Sequence, residues 1–197
     1  MQRHVKGILF ADYVRMIRSR KDIEWSLHLE PSDRDYVRKR VDPDAWYPME
    51  TFERMGNAIL REVAGGEVDA VRTWGRLSAG PLRDSQPMLV ALGDPVDSLM
   101  RFRVLRSSYF DFEALDVITL IEGRAEIAIA YHMGPVAEEA ASLQTMGFFE
   151  GVLDAAGATD VDARLAQCSW RDAGSRTLLD LRWKAPLRQS LVPPRSG

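Results

Sequence analysis

Few residues in this sequence combine the types and the spacing that catalysis requires. The 197 residues include three histidines and one cysteine. Nucleophilic catalysis needs a nucleophile, a base and a group that orients the base, but no G-x-S-x-G motif occurs and Cys168 has no histidine nearby in sequence. His132 is the one histidine at a strand end, where it could act as acid or base beside Tyr109 or Tyr131. A hydrogen-bonded structural histidine is the commoner case, so the sequence assigns no catalytic residue.

Metal and nucleotide sites also lack their usual residues. Glu138 and Glu139 come closest to a ligand cluster, but neighbouring residues on a helix point in different directions. Gly65-Gly66 follows a helical segment rather than a strand, which is the reverse of the dinucleotide-binding order. We therefore predict no metal site and no cofactor.

The aromatic residues offer more for binding than for catalysis. Ligand pockets are mostly apolar with a few polar groups, and aromatic side chains between helices and a sheet could line one. Core packing explains the same side chains at least as well. The candidate ligand-binding residues are Trp46, Tyr47, Trp74, Tyr109, Phe110, Tyr131, His132 and Phe149.

The composition indicates which kinds of partner and which cellular compartment to expect. The formal net charge is −3 and the pI is about 5.7, so no global basic field attracts nucleic acid. The single cysteine excludes an intrachain disulfide and suits a reducing cytosol. No apolar stretch is long enough to cross a membrane, and the first ten residues lack the features of a signal peptide. We expect a cytoplasmic protein without nucleic-acid or membrane partners.

Helical periodicity dominates the first half of the chain. Leu9, Tyr13 and Ile17 recur four residues apart and predict one helical face. In the helix that Asp94-Pro95 opens, we expect Leu99, Phe102 and Val104 to face inward. The other predicted helices run from Ser32 to about Arg40, from Pro48 to Val63, and from Val68 to Leu77 with Gly80-Pro81 as its end.

The period changes to two near Tyr109. Alternating residues predict a hairpin of strands over 115–121 and 125–132, and a second hairpin over 161–165 and 179–183, with a helix from Gly134-Pro135 to Gly157 between them. The fold class is therefore α+β, with N-terminal helices followed by a ββ-α-ββ antiparallel four-stranded sheet. We predict a single domain over 1–185, helical over about 1–108 and sheet-forming over about 109–185. Residues 186–197 should form a disordered tail.

Five segments, taken in order, carry a family resemblance. They are Val5-Lys6-Gly7-Ile8-Leu9-Phe10, Trp46-Tyr47-Pro48, Gly93-Asp94-Pro95, Tyr109-Phe110-Asp111 and the hairpin from Cys168 to Trp183. Together they resemble the Myxococcales-restricted domain of unknown function, an uncharacterised bacterial family, over most of the chain. That family is similar in turn to vinyl-reductase-type and haem-NO-binding (H-NOX) domains. The resemblance implies a fold used for sensing small apolar molecules, binding haem, or dimerising in trafficking complexes.

Two departures limit what the resemblance implies. Metal-binding vinyl-reductase-type domains carry two or more cysteines in the closing hairpin, and this chain has only Cys168 there. Haem-binding relatives use a proximal histidine on a helix and a Tyr-x-Ser-x-Arg motif. No such motif occurs here, and His132 falls at a predicted strand. The resemblance therefore brings neither zinc nor haem to this chain.

These observations favour a non-catalytic regulatory or sensory domain. It would bind a small apolar ligand, form a homodimer, or do both. A protein-interaction scaffold resembling the trafficking-complex subunits is the alternative, with the helix at Pro135 to Ala156 or the N-terminal helices as its interface. An enzyme that uses His132 is a second alternative. The ligand-binding interpretation depends on whether the aromatic side chains surround a cavity or fill a core. The scaffold depends on a large apolar interface, and the enzyme on His132 meeting Tyr109 or Tyr131 in one cleft.

Overall fold

Residues spaced three or four apart form the helices of this protein, and alternating residues form its strands. The computed structural model describes residues 2–172 and 174–185. The predicted tail, 186–197, lies outside the described residues. The elements are β1 His4–Lys6, α1 Gly7–Ser19, α2 Pro31–Arg38, β2 Trp46–Pro48, α3 Met49–Glu62, α4 Val68–Ser85, α5 Pro95–Leu105, β3 Leu115–Ile121, β4 Arg124–Ile129, α6 Pro135–Ala155, β5 Thr159–Gln167 and β6 Thr177–Lys184.

The second half of the chain folds as the alternation predicts. Its four strands form an antiparallel sheet in the order β3-β4-β6-β5. In the central pair, Ile127 lies opposite Leu179 and Ala125 opposite Leu181, and all four side chains are fully buried. This inner face carries the core, and α6 contacts both β5 and β6. The predicted α+β class and the ββ-α-ββ order are confirmed.

Helices α4 and α6 pack with their backbones in contact. A Cβ atom on Gly147 would lie 1.9 Å from the carbonyl oxygen of Arg72, and one on Gly75 would lie 2.0 Å from that of Gln144. Only glycine permits such an approach. On the same interface Arg72 forms an ion pair with the buried carboxylate of Glu150. The two helices therefore form one rigid unit.

Helix α4 is longer than the sequence predicts. We expected Gly80-Pro81 to end it, but it continues to Ser85 with Pro81 inside. A proline removes one hydrogen bond, to the carbonyl four residues earlier. That carbonyl belongs to Leu77, whose side chain is exposed. Water can satisfy the freed carbonyl on this side of the helix, which makes the interior proline tolerable.

A small two-stranded sheet, absent from the sequence prediction, fixes the N-terminus. Strand β1 pairs antiparallel with β2, and the Lys6 N–H donates to the Tyr109 carbonyl. The Arg3 guanidinium donates to the carbonyls of Tyr131 and His132. These contacts join the start of α1 to both segments that flank the sheet.

Several predicted boundaries and orientations were wrong. Val104 is exposed, because it lies opposite Leu99 and Phe102 on α5. Strand β4 ends at Ile129 rather than 132, since His132 adopts a φ of 56°, which strand residues do not adopt. Helix α2 is capped by Glu30 with Asp33 instead of Ser32, because Pro31 takes the first helical position.

No helix in the described part of the chain combines the length and the apolar character needed to cross a membrane.

The close contact between α4 and α6 predicts a large effect of one added methyl group. Gly147→Ala should lower the free energy of unfolding by about 1–3 kcal/mol, because the backbones must separate. Gly80→Ala is the control, since nothing lies within 4 Å of the added methyl group. It should change the free energy by less than about 1 kcal/mol. Urea denaturation measures both, and equal losses would contradict the close packing.

Candidate functional site

A cavity of about 390 Å³ lies between the helices and the sheet. Helices α1 and α6 supply more than half of its lining residues, and the others come from α3, α4, α5, the start of β3 and connecting segments. The lining residues are Ile8, Leu9, Ala11, Asp12, Tyr13, Arg15, Pro43, Phe52, Ser78, Pro81, Phe102, Tyr109, Phe110, Leu115, Tyr131, Ala141, Gln144, Thr145 and Phe148. This volume falls within the usual range for small-molecule pockets, about 300–1,000 Å³.

Apolar side chains make up most of the cavity wall, and aromatic rings among them also pack against the core. Phe102 of α5 packs edge-on against fully buried Phe149, with ring centres 4.7 Å apart. Phe110 lies 5.4 Å from the ring of Tyr131. Aromatic rings of the wall are therefore in direct contact with the core.

Two polar side chains of the cavity come from one turn of α6. Gln144 and Thr145 are consecutive residues there, and both line the cavity. The hydroxyl of Tyr13, from α1, donates to Gln144 Oε1 at 2.8 Å. The hydroxyls of Tyr131 and Thr145 share a hydrogen bond of 2.6 Å. Two tyrosines thus reach one polar patch from opposite elements.

The cavity tyrosines are neutral phenols. Burial raises the pKa of Tyr13 and of Tyr131 well above the ordinary value. Burial likewise raises the pKa of Tyr109 to about 12, although the hydrogen bond that its hydroxyl donates to Gln86 opposes the change. At neutral pH all three hydroxyls remain hydrogen-bond donors.

The rim of the cavity carries one ion pair. Arg15 Nη1 lies 2.8 Å from Asp12 Oδ1, one turn away on α1. Burial raises the pKa of the Asp12 carboxyl, and Arg15 partly offsets this effect. Because the two charges face each other, the rim offers no net charge to a ligand.

The structure brings three of the eight candidate residues to this cavity, namely Tyr109, Phe110 and Tyr131. Trp74 lies behind it, with its ring 5.4 Å from that of Tyr13, and lines a separate gap of about 20 Å³. The remaining four are placed elsewhere.

Two of those four belong to the N-terminal sheet. Trp46 is 42% exposed and lies under the Lys6 ammonium group, 4.6 Å from Nζ to the ring centre. Tyr47 stacks on Phe10 at 4.4 Å. Its hydroxyl accepts a hydrogen bond from the Asp42 N–H. Tyr47 therefore packs β2 against α1, whereas Trp46 contacts the neighbouring strand β1.

The other two candidates, Phe149 and His132, differ in burial. Phe149 is fully buried in the core. His132 is exposed, and its ring lies 6.4 Å from that of Phe112. His132 does not line the cavity with Tyr109 and Tyr131, so the three side chains do not converge in one cleft as an acid–base mechanism requires.

Sequence reasoning missed the polar half of the site. Tyr13 was recognised only as a member of an apolar helical face, and Gln144 and Thr145 were not singled out. A signal was present: two polar residues stand together between Leu143 and Met146, in a helix that is otherwise buried on this side. Buried polar residues require partners, which is a reason to search for them.

The lone thiol and the carboxylates do not form a reactive or metal-binding group in the described residues. Burial raises the pKa of Cys168, and nearby Arg171 compensates only in part, so the thiol stays protonated. Across residues 2–172 and 174–185, no three His, Cys, Asp or Glu side chains are grouped to hold a metal ion.

The fold is similar to that of H-NOX domains. An H-NOX protein from S. oneidensis in the Fe(II)NO state matches with a TM-score of 0.65 and 10% identity, over 91% of this chain and 99% of that chain. A mutant of T. Tengcongensis H-NOX gives 0.60 and 14%, over 92% and 99%. A mutant H-NOX protein from K. algicida, unliganded in the Fe(II) state, gives 0.62 and 13%, over 92% and 98%.

No protein-family model matches this sequence, and no curated protein matches it either. At the identities given, the similarity to H-NOX domains establishes the fold. The resemblance to the Myxococcales-restricted family stays a prediction.

The cavity residues do not fit a haem group. Haem is a feature of the H-NOX family, and haem iron is held by His, Cys, Met or Tyr side chains. The cavity wall contains no His, Cys or Met. Its three tyrosines are hydrogen-bonded neutral phenols, whereas an iron ligand is a phenolate. The cavity wall therefore offers haem iron no suitable ligand.

The buried phenols predict a specific response to alkaline pH. Their pKa values are raised in the folded state, so the stability they contribute is complete below the unfolded pKa of about 10 and is lost as pH rises above it. We expect Tyr13, Tyr109 and Tyr131 to ionise only together with unfolding. Phenolate absorbance, followed alongside circular dichroism, measures this coupling. Ionisation of all five tyrosines in a still-folded protein would contradict it.

Proposed function

We propose that this chain is a non-catalytic sensory domain that binds one small, mainly apolar molecule in the cavity between α1, α5 and α6. The observation that carries the proposal is the cavity itself, about 390 Å³ in volume with a wall of aromatic and aliphatic side chains. A void of this size lined by apolar groups forfeits packing contacts that a ligand can restore. We also propose a cytoplasmic location, as the single cysteine predicts.

The distribution of reactive groups supports binding over catalysis. The cavity wall contains three neutral tyrosines, one glutamine, one threonine and one serine, with a charged pair only at the rim. None of these forms the nucleophile–base–orienter set that covalent catalysis needs. His132, the remaining candidate base, lies outside the cavity.

The fold supports the same interpretation. The neighbours in structure include an H-NOX protein in an Fe(II)NO state and an oxygen-binding H-NOX domain related to soluble guanylate cyclases. Those proteins bind a small molecule in this architecture. In this chain the cavity wall has no His, Cys or Met, and its tyrosines are hydrogen-bonded phenols, so we propose that an organic molecule takes the place of a haem-bound gas.

A cavity-filling substitution tests the proposal. Purified protein should bind the neutral fluorophore N-phenylnaphthylamine with a saturable fluorescence increase. Ala141→Phe places a ring in the cavity and should weaken that binding at least about tenfold, which corresponds to roughly 1.4 kcal/mol. Ala70→Phe, at an exposed position on α4, is the matched control and should bind like the original protein.

Two results would count against a binding cavity. One is the absence of saturable binding to the original protein. The other is an equal loss of affinity in Ala141→Phe and Ala70→Phe. Thermal melting with the probe in excess gives an independent readout, because a ligand that binds the folded state raises the melting temperature.

A protein-interaction role, including homodimer formation, is the second candidate. It is favoured by Met100 and Val104, which lie one turn apart on α5 and are 53% and 76% exposed. Helix α6, considered from sequence as the interface, is instead occupied by α4 and the sheet. The outer face of α5 is therefore the proposed contact surface.

Val104→Asp tests this second role. A charge in an apolar interface should shift a dimer towards monomer by at least about tenfold in dissociation constant. Val136→Asp changes a valine on the first turn of α6 that is 60% exposed, and it should leave the association unchanged. Light scattering across a concentration series measures both, and a monomer at every concentration would contradict homodimer formation.

A further inference from the structure

We propose that the cavity selects neutral molecules that carry a carbonyl oxygen, because its wall holds hydrogen-bond donors that the protein itself does not use. This inference rests on the proposed binding function and adds the chemical class of the ligand. It is carried by two hydrogen-bonded pairs, Tyr13 with Gln144 and Tyr131 with Thr145.

The first unused donor belongs to Gln144. Its Oε1 accepts the hydrogen bond from the Tyr13 hydroxyl, and within the described residues its Nε2 group has no partner. An amide supplies two N–H donors and the tyrosine supplies one O–H. The single bond between them consumes one of the three, and this count is the same whichever way the amide is turned.

The second unused donor lies in the pair of hydroxyls. Tyr131 and Thr145 each have one O–H hydrogen, and the 2.6 Å contact between them uses only one. Whichever oxygen donates, the other hydroxyl keeps its hydrogen. Within the described residues Thr145 makes no bond to the carbonyl one turn earlier on α6, which is a common alternative for a helical threonine. One O–H therefore remains available.

Both hydrogen-bonded pairs lie in the lining of the same cavity. Gln144 and Thr145 are consecutive on α6 and so leave the helix in different directions, but each lines the cavity, as do Tyr13 and Tyr131. Tyr131 and Thr145 are 5% and 8% exposed, and Tyr13 is 7% exposed. The spare hydroxyl hydrogen of the Tyr131–Thr145 pair is therefore buried, and a buried donor without an acceptor costs about 1–3 kcal/mol. A ligand that presents an acceptor there removes that penalty, and the half-buried Gln144 side chain adds a second donor.

The charge of the site favours a neutral ligand. Arg15 and Asp12 are paired with each other at the rim, and no other cavity residue carries a formal charge. A carboxylate at the α6 patch would be buried without a cation, which is strongly unfavourable. A ketone, aldehyde or ester oxygen has two lone pairs, no hydrogen to place and no charge. The carbonyl group therefore matches the patch, and the apolar wall accommodates the remainder of the molecule.

A matched pair of ligands tests this selection. Acetylnaphthalene and ethylnaphthalene have nearly the same shape, but only the first has an acceptor. Their affinities are measured by displacement of N-phenylnaphthylamine or by calorimetry, and the result is the ratio of the two affinities. Taking the ratio within each protein variant cancels changes in cavity volume that affect both ligands. Comparing the ratios between variants cancels the different water solubilities of the two ligands.

Two double variants remove the donors without leaving a partner unpaired. They are Tyr131→Phe with Thr145→Val, and Tyr13→Phe with Gln144→Met. Removing both partners of a hydrogen bond is nearly neutral for stability, so both proteins should fold. Each should reduce the preference for the ketone by about fivefold to tenfold. The double variant Tyr36→Phe with Thr73→Val makes the same two substitutions at residues outside the cavity. It is the matched control for the first double variant and should leave the preference unchanged.

The vibration of the ligand gives a second readout. The carbonyl stretch of bound acetylnaphthalene should lie at lower frequency than in an alkane solvent, and should move back in the double variants. If both ligands bind but neither the ratio nor the stretch responds to the variants, the carbonyl selection is wrong and the cavity still binds apolar molecules. If neither ligand binds the original protein, the binding function fails and the selection fails with it.

Discussion

The contact between the backbones of α4 and α6 is the constraint on which the rest of the structure depends. Gly75 and Gly147 remove the side chains that would keep the two helices apart, and the ion pair of Arg72 with Glu150 fixes their relative position. Because α6 cannot rotate against α4, Gln144 and Thr145 stay directed at the cavity. The sheet, on the other side of α6, supports the same helix through β5 and β6. The cavity exists because its polar wall is a rigid helix held from two sides, whereas α1 reaches that wall through the single hydroxyl of Tyr13.

Much of the architecture could be predicted from sequence because it depends on local periodicity. Alternation of residue types over 115–121 and 125–132, and over 161–165 and 179–183, specified both hairpins. Strands β1 and β2 could not be found this way, because three residues are too few to show a period. The end of α4 was misjudged at Pro81, where exposure of the helix decides whether a proline is tolerated, and a single sequence reports exposure only through pattern.

The site itself was less accessible to prediction. Phe110 lines the cavity and Phe149 fills the core, yet both are phenylalanines in apolar surroundings. Residue type cannot distinguish a side chain that lines a cavity from one that fills the core, because the same residue types occur in both. The hydrogen bond between Tyr13 and Gln144 joins residues 131 positions apart, and no local sequence pattern predicts it. Comparison with H-NOX domains supplies the fold, but the absence of His, Cys and Met from this cavity wall separates its chemistry from that of haem.

The attachment of the N-terminus has a consequence for how the molecule assembles. Arg3 bonds to the Tyr131 carbonyl across 128 residues, Lys6 to Tyr109, and Tyr13 to Gln144 across 131. Contacts that distant in sequence require a large loss of chain entropy before they form, and folding slows as such contacts become more numerous. On the ribosome, α1 leaves the exit tunnel long before α6 has been synthesised. Helices α2 and α3 can cover part of α1 early, but the side of α1 that meets α6 stays uncovered until α6 is made, so this wall of the cavity closes late.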